Sequence, residues 1–96
     1  MIQVKKRIKN GRFSLTLKGH ADYGPGGSDI VCAAASMLAQ ALAKAAADDG
    51  IFKPGNIRVT GEDSERHKAM LDMASAGYTL LQARYPDNIT FDEKSD

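Results

Sequence analysis

Cysteine is almost missing from this chain: Cys32 is the only one in 96 residues. One thiol cannot close an internal disulfide, which excludes a secreted disulfide scaffold and makes a reducing cytoplasm the expected compartment. Long apolar runs are missing too. None approaches the roughly 18 residues of a membrane-crossing helix. The opening Met-Ile-Gln-Val-Lys-Lys alternates instead of forming the apolar stretch of a signal peptide, so no membrane is expected as a partner. There is no tryptophan, and there are only three phenylalanines and three tyrosines. Little is therefore on offer for stacking against nucleobases: Phe13 falls at a buried strand position, and Tyr23 is the loop candidate. Neither sign of charge is in excess. A net charge of +1 gives no argument for a nucleic-acid binder. No internal repeat or low-complexity tract occurs.

What is present suits a single domain, residues 1–96, with a thin core that a second copy would enlarge. Ile2, Val4 and Ile8 alternate with Gln3, Lys5 and Arg7, interrupted by Lys6; Phe13, Leu15 and Leu17 alternate with Ser14, Thr16 and Lys18. Asn10-Gly11 between them is a strong hairpin signal. A helix is expected from about Asp29 to Asp48, capped by Ser28, with an apolar stripe of Val31, Ala34, Leu38, Ala41, Leu42 and Ala45 and with Gly50 ending it. Pro54-Gly55 reads as a turn, Asn56–Gly61 as a strand, Ser64 to Arg84 as a second helix with its stripe on Met70, Leu71, Ala74, Tyr78 and Leu81, and Asn88–Phe91 as a last strand. Gly77 inside the second helix signals close packing or an early end. The expected class is α+β, in the order β-β-α-β-α-β, a sheet with two packed helices.

The stretch "GHADYGPGGSDIVCAAAS", Gly19 to Ser36, asks for a chemical explanation. It sets a glycine-rich loop between His20 and the lone cysteine. Free cysteines are commonly buried, but the helical step of about 100° puts Cys32 roughly 140° from the leucine stripe, beside Asp29, Ser36 and Gln40. A helix N-terminus contributes only about 0.3–1 kcal/mol to a thiolate and fades within a turn. Deprotonation near neutrality therefore needs a partner, and imidazole is the usual one. A loop that leaves a strand and re-enters the fold as a helix can return its two ends together, and its glycines ease the reversal. Backbone N–H groups between Asp29 and Cys32, or in the loop, are candidates for an oxyanion hole. Asp22 and Asp29 are both candidates to orient or support His20, with Asp29 equally readable as a helix-end charge. His67, amid Glu65, Arg66 and Lys68, reads as surface. His20, His67 and Cys32 lack the spacing of a structural zinc site, so neither a metal nor a cofactor is expected.

These residues carry a resemblance. The Gly-His-Ala triplet, the Tyr-Gly pair, Asp-Ile-Val-Cys-Ala-Ala with a following serine, the Gly-Tyr of the second helix and "YPDNITF" together resemble the ribosomal-processing cysteine proteases, the Prp or YsxB-like family. The likeness runs along nearly the whole chain. It implies a homodimeric cysteine endopeptidase with His20 and Cys32 as the catalytic pair. The implied substrate is a large-subunit ribosomal protein, from which a short N-terminal extension is removed. Gly19, Tyr23, Gly24, Gly26, Gly27 and Ser28 would form the substrate loop. Ala35 stands where the family has valine, and "GPGG" is richer in glycine and proline than the usual loop, which bears on substrate preference. A relative that trims a phage structural protein is one alternative. The other is a non-catalytic ribosome- or RNA-binding module using the basic hairpin of Lys5, Lys6, Arg7, Lys9, Arg12 and Lys18, with nucleic acid otherwise met only through the ribosome.

Overall fold

The computed structural model describes residues 1–25 and 29–95; Gly26, Gly27, Ser28 and Asp96 lie outside the described residues. Strands β1 (Ile2–Lys9) and β2 (Arg12–Lys18) form the expected hairpin. Asn10 and Gly11 both have positive φ, 54° and 73°, as a type I′ turn requires. Helix α1 (Ile30–Ala46), strands β3 (Ala47–Lys53) and β4 (Asn56–Glu62), helix α2 (Glu65–Arg84) and strand β5 (Ile89–Ser95) follow. The five strands make one sheet in the order β3-β4-β2-β1-β5, antiparallel except for the β1–β5 pair.

One face of the sheet is covered by both helices and the other is open. Ile2, Val4, Phe13, Leu15, Leu17, Val59 and Ile89 are buried beneath the helices, while Gln3, Lys5, Arg12, Lys18 and Arg58 are exposed. Lys6 stands on the covered side. Its ammonium donates to Ser75 Oγ at 2.8 Å and lies 3.6 Å from Glu93, so the interruption of the apolar face is satisfied rather than left buried alone. Tyr78 is fully buried; its hydroxyl donates to the Ala35 carbonyl at 2.9 Å, its ring stacks on Phe91, and burial pushes its pKa up. Gly77 marks close packing: a Cβ there would come within 2.7 Å of Leu38 Cδ1, so the helices meet at this glycine.

Three expectations are corrected. The order is β-β-α-β-β-α-β, with one strand more than anticipated. α1 stops at Ala46, and Ala47–Lys53 turns straight back as an edge strand paired with β4 through Pro54-Gly55. That strand hid because all its residues but Ala47 are exposed and a bulge at Ala47/Asp49 breaks its period. The α1 cap is Asp29, whose carboxylate accepts from the N–H groups of Val31 and Cys32, while the proposed cap Ser28 lies outside the described residues. The buried stripe of α1 is Val31, Ala35, Ala39, Leu42 and Ala46, not the leucine-centred one. Small residues let this helix lie close on the sheet: a Cβ at Gly61 of β4 would meet the Ala46 carbonyl at 2.6 Å.

Candidate active site

The new cap moves Cys32 closer to the helix start. With Asp29 at the cap, Cys32 is the third helical residue, within the first turn, where the helix dipole still acts. It borders the buried alanine stripe and is half-buried. Its sulfur accepts a hydrogen bond from the Ala21 N–H at 3.2 Å. Ala21 follows His20, so this bond lays the main chain of the histidine segment against the thiol.

His20 lies two residues beyond β2. Its segment is tied to the β3–β4 turn by Gly19 N–H donating to the Gly55 carbonyl at 3.0 Å. The imidazole rests on that turn: a Cβ at Gly55 would lie 2.9 Å from Nε2. His20 and Cys32 line one cavity of about 320 Å³ at the end of the sheet, although among the described residues no hydrogen bond joins imidazole to thiol. Ile2, Leu17, Ala35, Ile57 and Phe52 give this cavity an apolar lining. Ser36 and Gln40, one and two turns after Cys32, supply its polar side, with Gln40 Nε2 donating to Ser36 Oγ at 2.8 Å. A shallower depression shares Gln40 and Phe52 and continues between α1 and the edge strand β3.

Asp29 organises the loop and the helix start together. Oδ1 accepts from Val31 and Cys32 N–H, both at 3.0 Å, and Oδ2 from Tyr23 and Gly24 N–H at 2.9 and 3.3 Å. These donors, the Cys32 N–H foremost, hold its carboxyl below the ordinary value against the opposing effect of desolvation. The Ala33 N–H is given to the Asp29 carbonyl at 3.0 Å. An oxyanion donor from Val31 or Cys32 would therefore have to leave Asp29. Asp22 sits at φ 55°, and its exposed carboxylate faces the N-terminal amine of Met1 at 3.4 Å. Among the described residues, neither Asp22 nor Asp29 bonds to the imidazole. Tyr23 packs edge-on against Tyr85, with ring centroids 5.1 Å apart. Gly19 and Gly24 flank the described part of the loop; Gly26, Gly27 and Ser28 lie outside it.

His67 is elsewhere. Its Nδ1 is 2.8 Å from the Glu62 carbonyl, and Glu62 pairs with Arg12 at the far end of β2, about 20 Å of strand away from His20. Gly55, Phe52, Ala21 and Asn88 belong to the site or its surroundings, and sequence reading gave them no such role. Pro54-Gly55 was legible as a turn, but nothing local says that a turn will floor a histidine.

The fold has known counterparts. The crystal structure of an essential ribosomal processing protease Prp from S. aureus, in complex with a covalently linked product peptide, matches with a TM-score of 0.84 and 24% identity over 98% of this chain and 100% of that one. The same enzyme with a substrate peptide matches with a TM-score of 0.76, and SMU.848 from Streptococcus mutans with 0.75 at 25% identity, covering 100% of this chain and 96% of that one. No curated protein is matched by sequence. The family model for cysteine protease Prp, however, matches residues 1–90, nearly the whole α+β unit, with both His20 and Cys32 inside it, and the chain therefore belongs to the family of Prp cysteine proteases.

Proposed function

We propose that Cys32 is the nucleophile and His20 the general base and acid of a peptide-bond hydrolase. The observation that carries this reading is the first-turn position of Cys32, its sulfur accepting a main-chain N–H, in a cavity it shares with His20. His20 takes the proton from Cys32 Sγ, and the thiolate attacks the scissile carbonyl carbon. Collapse of the tetrahedral species breaks the C–N bond, and the imidazolium returns its proton to the departing amine. Water then attacks the thioester, giving one proton to His20. The C–S bond breaks, the imidazolium returns that proton to Sγ, and the product acid leaves as a carboxylate, releasing its remaining proton to solvent. Main-chain N–H groups at the helix start or in the loop stabilise the oxyanion, and those of Tyr23, Gly24, Val31 and Cys32 would first have to leave Asp29. Asp29 supports the pair by fixing the loop and the helix start.

The substrate is an extended segment of a ribosomal protein, whose N-terminal extension is removed in the cytoplasm. The S. aureus counterpart, itself a ribosomal processing protease, supports this assignment. The main chain of the substrate can pair along the free edge of β3, whose Phe52 lines the cavity, while an apolar side chain enters it. The basic hairpin is less suited to RNA than its composition implied, because Arg7 pairs with Asp92 and Arg12 with Asp48 within the chain. The enzyme acts as a homodimer.

Mass spectrometry of an extended ribosomal-protein precursor, incubated with the enzyme, tests the reading. Cleavage is expected with the unaltered chain and should fall at least about a thousandfold in Cys32→Ala and His20→Ala. Undiminished cleavage by Cys32→Ala removes Cys32 from the mechanism.

A further inference from the structure

The tail segment "YPDNITF" has no part in the chemistry above, yet one of its side chains reaches the sulfur through a single residue. Asn88 Nδ2 donates to the Ala21 carbonyl at 2.9 Å, and the Ala21 N–H donates to Cys32 Sγ at 3.2 Å. Ala21 is 1% exposed, so its two peptide units are settled inside the fold. The backbone on both sides of it is unusual. Gly19 has φ 95°, with the Met1 carbonyl occupying the space of a Cβ, and Asp22 has φ 55°, a left-handed conformation that costs a non-glycine residue free energy. Such a segment keeps its course only if something outside it holds it. Asn88 is well placed to do so because its own main chain is fixed at both groups. Its N–H donates to the Tyr85 carbonyl at 3.0 Å, and its carbonyl accepts from Ile2 N–H at 2.9 Å.

We propose that Asn88 is a positioning residue for the nucleophile. Its carboxamide clamps the Ala21 carbonyl, and the clamp keeps the Ala21 N–H aimed at Cys32 Sγ. A donor fixed on sulfur gains strength as negative charge develops there, since hydrogen bonds to charged acceptors are roughly twice as strong as neutral ones. The same clamp sets the main chain that carries His20. The inference rests on Cys32 being the nucleophile, as proposed above.

Asn88→Asp is the informative substitution: it preserves size, but its carboxylate can only accept and so cannot hold a carbonyl. The ¹H–¹⁵N signal of the Ala21 amide is first compared between the unaltered protein and Cys32→Ala, where the acceptor is gone. It must shift; an unchanged signal means that no hydrogen bond to sulfur exists, and the proposal falls whether or not any Asn88 variant folds. In Asn88→Asp the Ala21 signal should move toward its position in Cys32→Ala. Alkylation of Cys32 by iodoacetamide at neutral pH should slow about tenfold, the range of one charge-assisted hydrogen bond. Cleavage should lose a similar factor in kcat while KM changes less than about twofold. A folded Asn88→Asp protein with an unmoved Ala21 signal and an unslowed alkylation overturns the assignment. Failure of the protease reading would show itself differently, as cleavage persisting in Cys32→Ala, with the amide measurement unaffected.

Discussion

Two glycines with nearly the same backbone allow the role of one residue to be separated from its conformation. Gly11 and Gly55 have φ 73° and 70°, both costly for a residue with a Cβ. Around Gly11 a Cβ meets nothing within 4 Å, whereas at Gly55 it comes 2.9 Å from His20 Nε2. The far end of an imidazole is easily displaced, so the collision is settled by moving His20 rather than by unfolding the turn. Gly11→Ala and Gly55→Ala should therefore lower stability by a similar amount, about 1 kcal/mol or somewhat more. Only Gly55→Ala should slow cleavage, by about tenfold or more given how steeply catalysis depends on the placement of a base. Thermal melts and kcat/KM on the two proteins check this. Equal activities would mean that the imidazole does not work from its place on the β3–β4 turn. Asp29 offers a second residue-level trial. Its folded-state carboxyl is held below the ordinary value near 3.8, so its charged form contributes stability that is fully present above that value and disappears as pH falls through the depressed one. The urea midpoint of the unaltered chain should drop below about pH 4 more steeply than that of Asp29→Asn, whose cap carries no charge to lose. Parallel acid limbs would deny Asp29 its charged role.

Between the helices, Gly77 and Leu38 set the spacing of the layer. Replacing Gly77 by alanine gains about 1 kcal/mol of helix propensity, but the new methyl lies 2.7 Å from Leu38 Cδ1, and overpacking costs about 1–3 kcal/mol. In the Leu38→Ala background the obstruction is gone. Gly77→Ala should then stabilise the fold by about 1 kcal/mol while doing little or harm in the unaltered chain, a coupling that a double-mutant cycle in urea reads directly. The elements were unevenly legible from the sequence, for physical reasons. Asn10-Gly11 announced its hairpin because only a few residue pairs accept two positive φ values. α2 was readable because Leu71, Ala74 and Tyr78 are both periodic and buried. α1 misled because alanine marks no direction: Ala35, Ala39 and Ala46 face the core, and the larger Leu38 faces the neighbouring helix instead of the sheet. β3 stayed hidden because an exposed edge strand owes its existence to pairing with β4, not to its own residues. In the site, His20, Cys32 and the loop between them stood out as residue types in a pattern. Asn88 and Gly55 did not, since their partners are a main-chain carbonyl 67 residues away and a side chain that only folding brings near.

At the scale of the molecule, one layer of helices on one sheet leaves two broad faces, and their chemistry differs. The open sheet face carries Lys5, Lys9, Lys18 and Arg58 in addition to the ion-paired Arg7 and Arg12. Two copies meeting there about a two-fold axis would set like charges against each other. The outer surface of the helix layer is different. Ile30 and Met37 on α1 and Met73 and Leu80 on α2 are each spaced by seven residues and are 56%, 63%, 67% and 59% exposed. On the helical step, the first pair turns toward α2 and the second toward α1, which puts them on either side of the seam that Gly77 closes. An apolar patch of this kind on a small domain calls for a cover, and a thin core gains most from being doubled. The proposed homodimer is therefore expected to form through the helix layer, leaving the cavity of Cys32, which opens on the side of α1 away from α2, free for substrate. Sedimentation should give about twice the 10.3 kDa chain mass. Placing a charge on each helix, Met37→Glu with Met73→Glu, should yield a folded monomer, because two desolvated carboxylates would lie at the interface. Substituting Lys5 and Lys18 with glutamate should leave the dimer intact. A chain that sediments as a monomer when unaltered, or a dimer that survives the helix charges and dissolves with the sheet ones, would reverse the assignment of the two faces.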